Sequence, residues 1–97
     1  MEASISDRIK REICEVARTH GADKIILFGS RARNTNSERS DIDIAVCGGD
    51  FDKIYWNIKE NTHSLLMFDI VNMDSDVSDE LKAEIEKDGV VIYEKNR

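Results

Sequence analysis

Residues 28–46, FGSRARNTNSERSDIDIAV, decide the fold. The apolar run Ile25-Ile26-Leu27-Phe28 leads straight into Gly29-Ser30, and after ten intervening residues Asp41-Ile42-Asp43 heads a second apolar segment. The first run predicts a strand over about Lys24 to Phe28, buried on both faces because no polar residue interrupts it. A short helix over Ser30 to Arg33 follows, with Asn34 suited to end it because Asn tolerates positive φ. NTNSERS, residues 34–40, is a polar loop. For Ser30 at the end of the first strand to meet Asp41 at the start of the second, the two strands must run antiparallel.

The second strand carries the chemistry. Alternation puts Asp41 and Asp43 on one face and Ile42, Ile44 and Val46 on the other. Two residues of strand rise separate the acidic Cα atoms by about 6.8 Å, close enough to share one or two cations. Like charges that close repel without a positive partner. Hard oxygen donors of this kind suit Mg²⁺ or Mn²⁺, with phosphate oxygens and water completing the octahedron. Gly29 lets backbone approach a phosphate, and Ser30 aims a hydroxyl and N–H donors at it. Arg31 and Arg33 add positive charge beside that point, and arginine can fork to phosphate oxygens. Each half also has a plain reading: D-x-D on the wet face of a half-exposed strand, and Gly-Ser as an ordinary turn. Their combination at this spacing is far more specific.

That combination resembles the nucleotidyltransferases of the DNA polymerase β superfamily, whose signature is G-S, a spacer, and D-x-D at the start of a strand. GSRAR followed by SDIDIAV is more closely similar to the minimal nucleotidyltransferases, the MNT family. FDIVNMD, a helix and then DGVVIYEK resemble the family's third acidic strand and its ending, so the likeness covers nearly the whole chain. Asn34 stands where the family usually has Gly, a mild departure.

The resemblance implies a polymerase β-like α/β (α+β) fold and Mg²⁺-dependent transfer of a nucleotide from ATP to a hydroxyl. Asp41 and Asp43 would hold metal, with two Mg²⁺ ions expected. Asp69 would be the third carboxylate, either binding the second ion or taking the hydroxyl proton. Gly29 and Ser30 would hold the β and γ phosphates, with Arg31 and Arg33 as weaker candidates for the same task. It further implies a small helical HEPN partner, a ribonuclease toxin that the chain silences by adding AMP to a tyrosine. Two other readings stand beside it. One is a non-catalytic antitoxin acting by contact alone; the other is the catalytic subunit of a two-subunit enzyme modifying a small molecule of aminoglycoside type.

Length and charge set bounds. Ninety-seven residues suit one domain, here residues 1–97, with a modest core and no room for a separate acceptor-binding domain. At 40% hydrophobic and 35% charged residues, with no long apolar run or signal-like start, a cytoplasmic globule is expected. Fourteen basic residues against 20 acidic ones give a net charge of −6, which disfavours nucleic-acid binding through many phosphate contacts. Cys14 and Cys47 have no metal or disulfide spacing and read as small buried residues.

The rest of the chain supports this corner. Ile5, Ile9, Ile13, Val16 and Ala17 recur at helical spacing over Ser4 to His20, with Ser4 and Asp7 resembling a capping box and Gly21 a stop. Phe51 to about Lys59 is a second long helix from whose stripe Trp56 departs, making Trp56 a candidate exposed contact. His63, in the linker ENTHS, reads as surface. A third strand over about Leu65 to Asn72 is apolar apart from Asp69, a carboxylate whose burial would be costly unless paired or bound to metal; the plain reading is a strand edge beside a surface Lys. Asp74 and Asp76 read as solvent-facing. Ser78 caps a last helix ending at Asp88, and Val90 to Tyr93 forms the final strand. The expected order α-β-α-β-α-β-α-β makes a four-stranded mixed sheet with packed helices.

Overall fold

A computed structural model of the chain describes residues 4–62 and 65–95; His63 lies outside them. Eight elements follow in the expected order: α1 (Asp7–Thr19), β1 (Lys24–Phe28), α2 (Gly29–Arg33), β2 (Ile42–Cys47), α3 (Phe51–Asn61), β3 (Phe68–Asn72), α4 (Asp79–Asp88) and β4 (Val90–Glu94). The strands form one mixed sheet in the order β3-β2-β1-β4. β1 pairs antiparallel with β2 and with β4, as the meeting of Ser30 and Asp41 required, whereas β2 and β3 are parallel and α3 forms their crossover.

Strand alternation splits the apolar residues between two faces. Ile25 and Leu27 of β1, Ile42, Ile44 and Val46 of β2, Phe68 of β3 and Ile92 of β4 meet Ile9 and Ile13 of α1 and Ile54 and Ile58 of α3 in the main core. The opposite face carries a smaller cluster of Phe28, Ala45 and Ile85, with Ile26, Val71 and Leu81 against it. Because α4 covers only this part of the second face, Asp69 stays exposed, while Asp43 is half-buried beside the start of α2.

Several boundaries differ from the sequence expectation. α1 begins at Asp7, and its cap is Ser6, whose Oγ accepts from Ile9 N–H at 3.2 Å. Ser4 makes no capping box because its backbone is bonded to Arg31 instead, through Ser4 N–H to Arg31 O at 2.9 Å. α2 starts one residue early, at Gly29, and Asn34 ends it in the left-handed conformation at φ 59°. β3 begins at Phe68, where it first pairs with Ile42; Leu65 and Met67 lie before it, exposed. α3 extends to Asn61 and β4 to Glu94. Trp56 is 59% exposed, its indole edge-on to the Tyr55 ring. Asp74 is not merely solvated: its Oδ2 accepts from Gly48 N–H at 2.7 Å and pins the turn after β2. Cys14 and Cys47 are free and only half-buried. Among the described residues no helix is long and apolar enough to cross a membrane.

Candidate active site

Asp43 sits in β2 opposite Phe28 of β1 and opposite Asp69 of β3. Paired residues of neighbouring strands project from the same face about 4.8 Å apart, so two carboxylates share one patch of sheet. Asp41, one residue before β2 and on the same alternation, adds a third, exposed carboxylate. Asp43 is half-buried, and burial first, then the charges of Asp69, Asp41 and Glu84, push its carboxyl from the ordinary 3.8 up to about 6, with Arg33 pulling the other way. The desolvation expected at Asp69 thus falls on Asp43. β3 is an edge strand, so Asp69 is exposed, whereas Asp43 lies in a strand flanked on both sides.

Gly29 forms the wall of this patch. It adopts φ +72°, and a Cβ there would collide with Asp43 Oδ2 and lie 3.2 Å from its Cγ. The glycine therefore serves two ends: it turns β1 into α2, and it leaves the Asp43 carboxylate its place. Ser30 follows at the first turn of α2, half-buried beside the same wall.

The two arginines part ways. Arg33 projects towards α4, with Nη1 3.8 Å from Glu84 and 3.9 Å from Asp88, both exposed enough to be loose pairs. It remains near enough to Asp43 to act on its charge. Arg31 is 7% exposed and donates to three backbone carbonyls, those of Ser4, Glu38 and Ser40. Three of its five N–H donors, one on each nitrogen, are thereby held by backbone, so in this structure Arg31 ties together the segments around Ser4, Glu38 and Ser40. Glu84 and Asp88 were not singled out in the sequence; their i, i+4 spacing on α4 is the signal that could have marked a shared face towards α2. Next to Asp41, a cavity of about 500 Å³ is lined by Glu38, Arg39, Asp41, Leu65, Leu66 and Met67.

The family model described as "Polymerase beta, Nucleotidyltransferase" matches residues 11–97. The chain belongs to the polymerase beta nucleotidyltransferase family. This nucleotidyltransferase is 48% identical over 40 residues to a Methanocaldococcus jannaschii protein named "Putative protein adenylyltransferase MJ0435". That match spans 41% of this chain and 43% of the relative, less than half of either. The fold is similar to a toxin–antitoxin crystal structure with AMP-PNP, at TM-score 0.71 and 26% identity, covering 90% of this chain and 74% of the other. A mutant of the toxin–antitoxin pair MntA–HpeT superposes with TM-score 0.70 at 24% identity, over 90% of this chain and 74% of that one, a likeness of fold.

Among the described residues no three His, Cys, Asp or Glu side chains form a ready-made metal cluster. Mg²⁺ needs none, because it commonly takes one or two carboxylates and completes its shell with water and substrate phosphates. The donor set of the nucleotidyltransferase fits such an ion: hard oxygens at Asp41 and Asp43, and an Asp43 charge that burial and then nearby acidic groups disfavour and a cation would stabilise.

Proposed function

We propose that this chain transfers AMP from ATP to a hydroxyl on a partner protein, a tyrosine of a HEPN ribonuclease toxin, and acts in the cytoplasm as its antitoxin. The observation that carries the reading is the pairing of Asp43 with Asp69 across β2 and β3, beside a glycine on which the Asp43 carboxylate rests. Two relatives lend support: one named as a protein adenylyltransferase, the other a toxin–antitoxin solved with an ATP analogue.

Asp41 and Asp43 would hold Mg²⁺, with Asp69 as candidate ligand of a second ion. When bound, the ions orient the triphosphate and neutralise charge around the reacting phosphorus. Gly29 and Ser30 hold the β and γ phosphates, the glycine by close backbone approach and the serine through its hydroxyl. The acceptor oxygen attacks the α-phosphorus in line; its bond to phosphorus forms as the bond to the bridging oxygen breaks, and pyrophosphate leaves. The acceptor proton goes to the Asp69 carboxylate or to water. Exposure at the sheet edge, in register with Asp43, supports either proposed role of Asp69. The 97 residues act as one catalytic domain, and the acceptor is presented by the partner.

The test is intact mass of the proposed HEPN partner, after incubation with the chain, ATP and Mg²⁺. Mass gains in steps of one AMP, absent with Asp41→Asn, are the expected result. An unchanged mass in a stable complex would overturn it in favour of inhibition by contact, and AMP appearing on an aminoglycoside would point to a small-molecule acceptor.

A further inference from the structure

Asp41 stands just outside β2, at the end of a polar loop, yet a metal ligand must be held to a fraction of an ångström. On its C-terminal side the ladder holds it, through Ile42 N–H to Met67 O at 2.9 Å. On its N-terminal side residues 37–40 close on themselves, with Ser37 N–H donating to Ser40 Oγ at 2.9 Å and Ser40 N–H to Ser37 O at 3.3 Å. Arg31 ties that turn to the body of the protein. Its Nε donates to Ser40 O at 3.0 Å, Nη2 to Glu38 O at 3.2 Å and Nη1 to Ser4 O at 2.9 Å.

The Ser40 carbonyl belongs to the same rigid peptide plane as the Asp41 nitrogen, so fixing one fixes the other. Arg31 is also the residue after Ser30, within α2. One buried guanidinium therefore joins the end of the loop that carries Asp41 to the helix that begins with Gly29 and Ser30. We propose that Arg31 is the positioning residue that sets Asp41 against the Gly29-Ser30 wall, and thereby tunes the affinity of the site for its divalent cation. A lysine cannot replace it, because a point charge lacks the planar fork that reaches three carbonyls at once.

This inference rests on the reading of Asp41 as a metal ligand, and the experiment separates the two. Arg31→Lys in the full chain is compared with wild type by amide hydrogen exchange over residues 37–42 and by Mn²⁺ titration in the presence of AMP-PNP. AMP transfer is then followed against Mg²⁺ concentration. The expected result is faster exchange in that segment, Mn²⁺ affinity lower by about 10- to 100-fold, and transfer recovered by added Mg²⁺. Unchanged exchange over 37–42 would remove the clamp, and unchanged Mn²⁺ affinity with weaker metal-free AMP-PNP binding would make Arg31 a phosphate contact. Unchanged Mn²⁺ affinity with only a lower Tm would reduce it to a structural filler. If wild type itself binds no Mn²⁺ beside AMP-PNP, the metal-ligand reading fails, and with it the proposed tuning. Arg31→Gln, which keeps amide donors without burying a charge, replaces the lysine variant if that one does not fold. Failure of both to fold assigns Arg31 to folding alone and overturns the proposal.

Discussion

The Asp43 carboxylate rests against Gly29 so closely that a methyl group on the glycine would occupy the space of Asp43 Oδ2. A site acid and the turn that leads into α2 thus share one volume. Gly29→Ala is expected to cost about 1–3 kcal/mol, from an L-residue held at positive φ and from displacement of the carboxylate. Nucleotide transfer should fall much further than stability. Denaturant unfolding and turnover measured on the same sample check this; an alanine variant of normal activity would mean that the Asp43 rotamer is unimportant.

Asp43 also sets a pH dependence. Its carboxyl is pushed up to about 6, chiefly by burial and then by Asp69 and Asp41. Between the ordinary carboxylate value and about 6, the folded chain holds a proton that the unfolded chain has lost, so metal-free stability should fall as pH rises through that window. Asp43→Asn should remove this fall and raise Tm at pH 8, with little gain near pH 4, while abolishing transfer. Thermal melts in a chelating buffer at both pH values give the answer, and a lower Tm for the variant at pH 8 would contradict the repulsion described.

Much of this corner is legible in the sequence alone. An unbroken apolar run at 24–28 has few alternatives to a buried strand, Asn34 does end α2 at positive φ, and the antiparallel pairing of β1 and β2 followed from bringing Ser30 to Asp41. What stayed hidden depends on partners distant in the chain. Ser4 and Ser6 both precede α1 and look alike as caps; Arg31, 27 residues on, draws Ser4 away and leaves the cap to Ser6. The partners of Arg31 are backbone carbonyls, which no residue pattern advertises. The order of strands was equally unreadable, so a buried charge and a strand edge both remained open for Asp69, and β3 proves to be an edge.

Arg33 offers a separation between stability and chemistry. Its contacts with Glu84 and Asp88, at 3.8 and 3.9 Å, are long and well exposed, and such pairs contribute under about 1 kcal/mol. Arg33→Ala should therefore barely move Tm. Because Arg33 lowers the Asp43 carboxyl, its loss should lift that carboxyl further and move the acidic limb of the pH–rate profile to higher pH. A profile that keeps its acidic limb while KM for ATP rises would assign Arg33 to the triphosphate instead.

Ser30→Ala should be milder than either glycine or aspartate changes. The serine hydroxyl is one proposed contact to the triphosphate among several, so KM for ATP should rise by about tenfold or less, on the scale of a single hydrogen bond, with kcat little changed. Losses equal to those of Asp43→Asn would show that Ser30 does more than hold phosphate.

Asp69 and Asp43 provide the sharpest test because they face each other across two strands and repel. Asp69 is exposed and sits on an edge strand, so Asp69→Asn loses no packing, and relief of its repulsion with Asp43 should raise Tm at pH 8 by the same coupling. It removes the largest charge effect on Asp43, whose carboxyl should then titrate closer to the ordinary range. The stabilisation gained by Asp43→Asn at pH 8 should consequently be smaller in the Asp69→Asn background than in wild type. A double-mutant cycle of Tm or unfolding free energy at pH 8 reads this coupling directly. In the same variants, Asp69→Asn should lose turnover while ATP binding without metal persists, as expected of a group that meets the acceptor or a second cation. Strict additivity across the cycle would mean that the two carboxylates, although paired in register, do not share a field, and a second cation held at Asp69 beside Asp43 would lose its physical basis.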